Sequence, residues 1–175
     1  MYFYCKESAF TLIELIVTIA VLAIITTLAL PHFRHFQAKQ EAENVNSLIR
    51  QHINSAKSIA SVHHLKTIVC SSNSSHLCAD NQWNSGIIIF GDKNNNKQID
   101  LDEKVYSQVE TNLHFGKLTW KGSSSSDSEL TFQGDTGLPR GAPGSFIYCS
   151  QDHTSLNKRF NISRMGHVRP EATSC

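Results

Sequence analysis

Hydrophobic and polar positions fall into three regimes along the chain. Phe10 to Leu30 (FTLIELIVTIAVLAIITTLAL) is a run of 21 residues with one charge, Glu14. As a helix rising about 1.5 Å per residue it spans the roughly 30 Å hydrocarbon core of a bilayer, and so predicts a membrane helix. A secretory signal peptide would have a shorter apolar region, about 7 to 15 residues, free of acids. A carboxylate in a membrane helix costs on the order of 2.5 to 3.5 kcal/mol, so Glu14 is expected to have a partner or a task.

The second regime is periodic at three and four. Pro31 lacks an N–H and crowds the preceding turn, which predicts a break or kink there. Beyond it Val45, Leu48, Ile49, Ile53, Ala56, Ile59 and Ala60 form one stripe, with Arg50, Gln51, Asn54 and Lys57 between them. This predicts an amphipathic continuation over 31–63, ending near His63 and packed on a folded body.

From residue 64 the pattern changes to short β-branched and aromatic runs bounded by Gly, Asn, Asp or Ser. Strands are expected at Leu65–Cys70, Gly86–Phe90, Lys104–Val109, Leu113–Thr119, Glu129–Gln133, Ser145–Ser150 and Arg159–Arg164. Gly122 to Asp127 and Gly134 to Gly144 read as loops by composition. The fold class is therefore α+β: a long N-terminal helix, membrane-spanning in its first half over 10–30, packed on an antiparallel β domain over 64–175.

Composition fits one domain with an appendage, at 175 residues with 40% hydrophobic and 18% charged. A net charge of +1 argues against a wholesale nucleic-acid binder. The charge is uneven, however. From Thr67 to Gly137 five lysines face nine acids, whereas Arg140, Lys158, Arg159, Arg164 and Arg169 outnumber Asp152 and Glu171 at the C-terminal end.

Cys70, Cys78, Cys149 and Cys175 form an even set suited to two disulfides in an oxidising compartment, which places the body outside the cytoplasm. Three connectivities are open. Cys70–Cys78 and Cys149–Cys175 are preferred because each pair brackets one loop or tail. A zinc site would call for close ligand spacing such as CxxC, which the chain lacks.

Asp92, Asn94, Asn96, Asp100 and Glu103 fall on positions of a calcium-loop template. Lys97 stands where that loop needs Gly, and Lys93, Lys97 and Lys104 dilute the charge, so an Asx-rich turn is the better reading. The nine histidines form no HExxH pattern, and no GxSxG, Walker loop or GxGxxG appears. No cofactor and no enzymatic activity are expected.

Cys5-Lys6-Glu7-Ser8-Ala9 followed by Phe10-Thr11-Leu12-Ile13-Glu14-Leu15 resembles the leader and cleavage signal of type IV prepilins and type II secretion pseudopilins. The resemblance implies a leader over 1–9, cleavage by a prepilin peptidase between Ala9 and Phe10, and methylation of the new Phe10 amine. Ala9 stands where the family usually has Gly. Buried among apolar helices, Glu14 is expected to meet the N-terminal amine of a neighbouring subunit and fix axial register. Pilins of this family carry a kink like the one expected at Pro31.

Cys78, Trp83, Gly86, Phe90, the Asp92 to Asn96 loop, Phe132, Gly134, Phe146, Cys149 and the Ile162 to Arg169 stretch are similar to the FimT and GspH branch. Gly166-His167-Val168-Arg169 resembles the GRxR motif with which some FimT proteins hold DNA, with His167 in place of the first Arg. Lys158, Arg159 and Arg164 supply the missing charge if they share a face; strand alternation alone leaves that open. The resemblance implies a minor pilin that starts in the inner membrane with its body in the periplasm, then joins major and minor pilins at the cell surface. It further implies binding of double-stranded DNA during uptake in natural transformation. A GspH-like pseudopilin of a type II secretion system and a purely structural minor pilin remain the alternatives.

Overall fold

The computed structural model describes residues 11–73, 77–122, 128–139 and 144–175. By contact the chain divides into two compact units, Met1–Gln37 and Ala38–Cys175. One helix, α1 (Leu12–His63), runs through both.

α1 begins with a cap that the sequence supplies. Glu14 donates its backbone N–H to Thr11 Oγ1 at 3.3 Å, so Thr11 satisfies one of the helix's free N-terminal donors. In the first unit the large apolar side chains are exposed on consecutive positions, Leu12, Ile13, Leu15, Ile16 and Val17 among them. Of the break or kink expected at Pro31, the break does not occur: the helix is continuous through it. A proline forfeits one backbone hydrogen bond, and the long helical runs on both sides carry α1 past that loss.

In the second unit α1 buries Ala38, Ala42, Val45, Ile49, Ile53, Ala56 and Ala60, spaced by three or four residues, with Leu48 and Ile59 half-buried beside them. Four of these are alanines, small enough for a sheet to approach the helix closely.

Two four-stranded antiparallel sheets complete this unit. The first is ordered β3 (Val105–Glu110), β2 (Gly86–Gly91), β1 (Thr67–Ser71), β5 (Leu130–Phe132). The second is ordered β4 (Gly116–Lys121), β6 (Ser145–Ser150), β7 (Lys158–Ile162), β8 (Val168–Ala172). The eighth strand was not expected.

β1 and β2 are buried on both faces, which is why β2 reads as an unbroken apolar run, Gly-Ile-Ile-Ile-Phe-Gly. Val69, Ile87 and Ile89 join the main core with α1, and Ile68, Cys70, Ile88 and Phe90 form a second cluster against Cys78 and Ile99. The second sheet sends one face into the main core and leaves the other only partly exposed, with Ile147 of β6 buried on that outer face. Leu118, Trp120, Phe146, Tyr148, Phe160 and Ile162 point into the main core, and the alternate positions point away from it. Disulfides join Cys70 to Cys78 and Cys149 to Cys175.

Candidate functional site

Ala9 and Phe10 lie outside the described residues. Glu14 sits in the first turn of α1 with an exposed side chain. An acid there also suits the positive end of the helix dipole.

The 92–103 loop turns its polar groups inward. Asn94 and Asn96 each donate a side-chain N–H to Asp100 Oδ2 at 2.7 Å. The Asn96 N–H donates to Asn94 Oδ1 and the Gln98 N–H to Asn96 Oδ1, two consecutive Asx turns. Glu103 accepts the Lys93 N–H at 2.7 Å, and buried Asp92 pairs with Lys66 at 3.2 Å. Asn95 and Lys97 take left-handed backbone, φ 66° and 64°. Asn94, Asn96, Asp100 and Glu103 are thus engaged within the loop, whereas the Asp92 carboxylate is buried without a hydrogen-bond partner and faces Lys66. Among the described residues no group of three or more His, Cys, Asp or Glu is placed to hold a metal.

The C-terminal hairpin gathers the cations. β7 and β8 pair with Asn161 opposite Arg169 and Arg159 opposite Glu171. The turn between them closes through Ser163 N–H to His167 O at 2.9 Å and Gly166 N–H to Ser163 O at 2.8 Å. Gly166 has φ +73°, a conformation that favours glycine, and this holds Arg164 and Met165 at the exposed tip. Lys57 of α1 donates to the Met165 carbonyl at 2.9 Å and steadies the tip from below.

Arg159 and Arg169 therefore share the outer face of the second sheet, with Arg164 at its end and exposed His167 beside the turn. Lys158 does not join them. It lies one residue out of phase and pairs with Glu43 on α1, and the bond to Lys158 holds the Glu43 carboxyl below its usual range.

Two features escaped the sequence reading. Lys117 and Lys121 of β4 alternate with buried Leu118 and Trp120, so they point outward on the same face as Arg159 and Arg169. Their alternation is visible in the sequence, but the pairing of β4 with β6 is not. The second is Glu41, whose carboxylate accepts from the backbone of His114 and Phe115 and from the Tyr148 hydroxyl.

Comparison with known proteins agrees with this architecture. Residues 46–166 match the family model described as type II transport protein GspH, and residues 5–30 match the prokaryotic N-terminal methylation motif. Crystal structures of the type IV minor pilin FimU from Pseudomonas aeruginosa PAO1, in two space groups, share the fold at a TM-score of 0.52 and 17% identity. The matches cover 75% and 79% of this chain and 90% of each FimU chain. No curated protein matches the chain significantly. The methylation motif implies processing by a prepilin peptidase and assembly with other pilins, from the inner membrane into a pilus or pseudopilus. The chain belongs to the GspH family: it is a type IV pilin-like protein with an N-terminal methylation motif, a structural subunit and not an enzyme.

Proposed function

We propose that this chain is a FimT-like minor pilin that takes its place in a type IV pilus through α1 and binds double-stranded DNA through its C-terminal hairpin during uptake. The observation that carries the DNA reading is the placing of Arg159 and Arg169 on one sheet face, with Arg164 at the adjoining tip. Cations so grouped neutralise phosphates without regard to base sequence. His167, whose backbone N–H donates to Ser163 Oγ, stands exposed beside them, and Gly166 permits the turn that presents them. In this reading cleavage falls between Ala9 and Phe10, Glu14 sets axial register, and Pro31 adapts the helix to its neighbours.

The rival is a GspH-type pseudopilin of a type II secretion system, favoured by the family model over residues 46–166. A DNA titration separates them. The full chain in neutral detergent is titrated with a DNA duplex at two salt concentrations, beside an R164A/R169A variant. Salt-weakened binding that the variant loses is the expected result. No binding at low salt refutes the DNA role and leaves a structural subunit or pseudopilin.

A further inference from the structure

The second sheet has one face in the core and one face outward, and register fixes what the outward face displays. Lys121, Ser145, Asn161 and Arg169 stand in one row across β4, β6, β7 and β8. The next row is Thr119, Ile147, Arg159 and Glu171, and Lys117 with Cys149 begins a third. Four cations thus occupy both edges and the centre of one face, opposed by the single carboxylate of Glu171.

Three of these cations are available, and the centre of the face is covered: Ile147 is buried, Arg159 is half-buried, and the Cys149–Cys175 disulfide draws the tail against β6. Lys117, Lys121 and Arg169 are exposed, and the ion pairs among the described residues involve none of them. The Nε of Arg159 is buried without a hydrogen-bond partner. Lys158, by contrast, is held on the other side by Glu43.

We infer that the exposed margins of the outer face of the β4-β6-β7-β8 sheet form a phosphate-binding table for a DNA duplex, with Lys117 and Lys121 on one edge meeting backbone that the C-terminal hairpin does not reach. This rests on the DNA reading above and extends it to residues more than thirty positions earlier in sequence. Strands lie about 4.8 Å apart, so Lys121 and Arg169 are separated by three intervals, about 14 Å. Lys117 lies about 13 Å along β4 from Lys121. A patch of that size, with long flexible side chains at its margins, spans both backbones that flank a minor groove about 6 Å wide.

The face also selects against single strands. Single-strand binders pair a cationic groove with aromatic rings on which bases stack. The outward positions of these strands carry Lys, Thr, Ser, Ile, Cys, Arg, Asn and Glu and no aromatic ring. Cationic and ring-free, the surface suits backbone contact with a duplex and no reading of bases.

The test uses the full chain in neutral detergent, a fluorescent duplex of mixed sequence and the matching single strand. K117A/K121A is expected to weaken duplex binding and to reduce the slope of log K against log salt by about 1.8, about 0.9 for each lost phosphate contact. E171Q is expected to tighten binding, and the duplex to compete better than the single strand. Both sites are exposed, and an unchanged thermal melt confirms that the variants fold. If R164A/R169A abolishes binding while K117A/K121A leaves affinity and slope unchanged, the table is wrong and the hairpin alone binds; the lysines then belong to a contact with another pilin. Preference for the single strand overturns the inference equally. Absence of any binding by the parent chain overturns it together with the DNA reading.

Discussion

The hydroxyl of Tyr148 on β6 donates a 2.8 Å hydrogen bond to Oε1 of Glu41 on α1, joining residues 107 apart in sequence. The same carboxylate accepts the His114 N–H at 2.7 Å and the Phe115 N–H at 3.1 Å, so one acid ties the helix to both β6 and the turn before β4. Gly116 makes this arrangement fit, since a Cβ there would lie 2.3 Å from the Tyr148 ring.

Replacing Glu41 by Ala leaves these donors without their acceptor in a partly buried site, where an unmet polar group costs about 1–3 kcal/mol. E41A is expected to lower the free energy of unfolding by about 2 kcal/mol or more. Denaturant titration followed by fluorescence of buried Trp83 and Trp120 measures it. An unmoved midpoint would mean that the three donors need no protein acceptor.

Alkaline pH probes the same contact. Burial, then the hydrogen bond and charge of Glu41, push the Tyr148 phenol well above its usual value. The folded state keeps the proton that the unfolded state releases near pH 10, so this contribution is complete below about pH 10 and is lost as pH rises beyond it. The parent chain is expected to lose stability more steeply than Y148F between about pH 10 and 12. Parallel curves would show that Tyr148 is not the titrating group.

Legibility in the sequence followed the range of the interactions. The buried stripe of α1 was readable because helical period sets it locally, and seven strands were readable from their β-branched and aromatic runs. β8 was not: Val168-Arg169-Pro170-Glu171-Ala172 has two charges and a proline, and it survives as a strand because it lies at a sheet edge. The division into two sheets, with β5 beside β1 and β4 beside β6, is a tertiary choice that no local pattern records. For the same reason Lys158 was grouped with Arg159, while the fold sends Lys158 to Glu43 and brings Lys117 and Lys121 to Arg159.

The Cys149–Cys175 disulfide ties the tail after β8 to β6, closing 26 residues that include the whole cationic hairpin. A loop of that size restricts the unfolded chain by about 3.5 kcal/mol in the chain-entropy account. C149S/C175S is expected to lower stability by about that amount. It should also speed hydrogen exchange at Glu171 and Ala172 more than in β1 or β2. Uniform acceleration across both sheets would mean that the bridge stabilises the body as a whole and does not pin the β8 edge in particular.

Glu14 makes a prediction of the opposite kind, in which the body is untouched and assembly fails. Its carboxylate lies in a helix segment whose apolar side chains are exposed, far in sequence from the core that begins at Ala38. In a bundle of such helices a carboxylate is tolerated when a neighbour's amine neutralises it, and that pairing holds at one axial offset only. E14A should therefore leave the unfolding midpoint of the body unchanged while sharply reducing the amount of subunit recovered in sheared fibres. E14Q should fail in the same way if charge sets the register, because it keeps size and hydrogen bonding but cannot neutralise an amine. Recovery of E14Q at parent levels beside loss of E14A would assign the role to polarity instead, and normal recovery of both would remove Glu14 from assembly altogether.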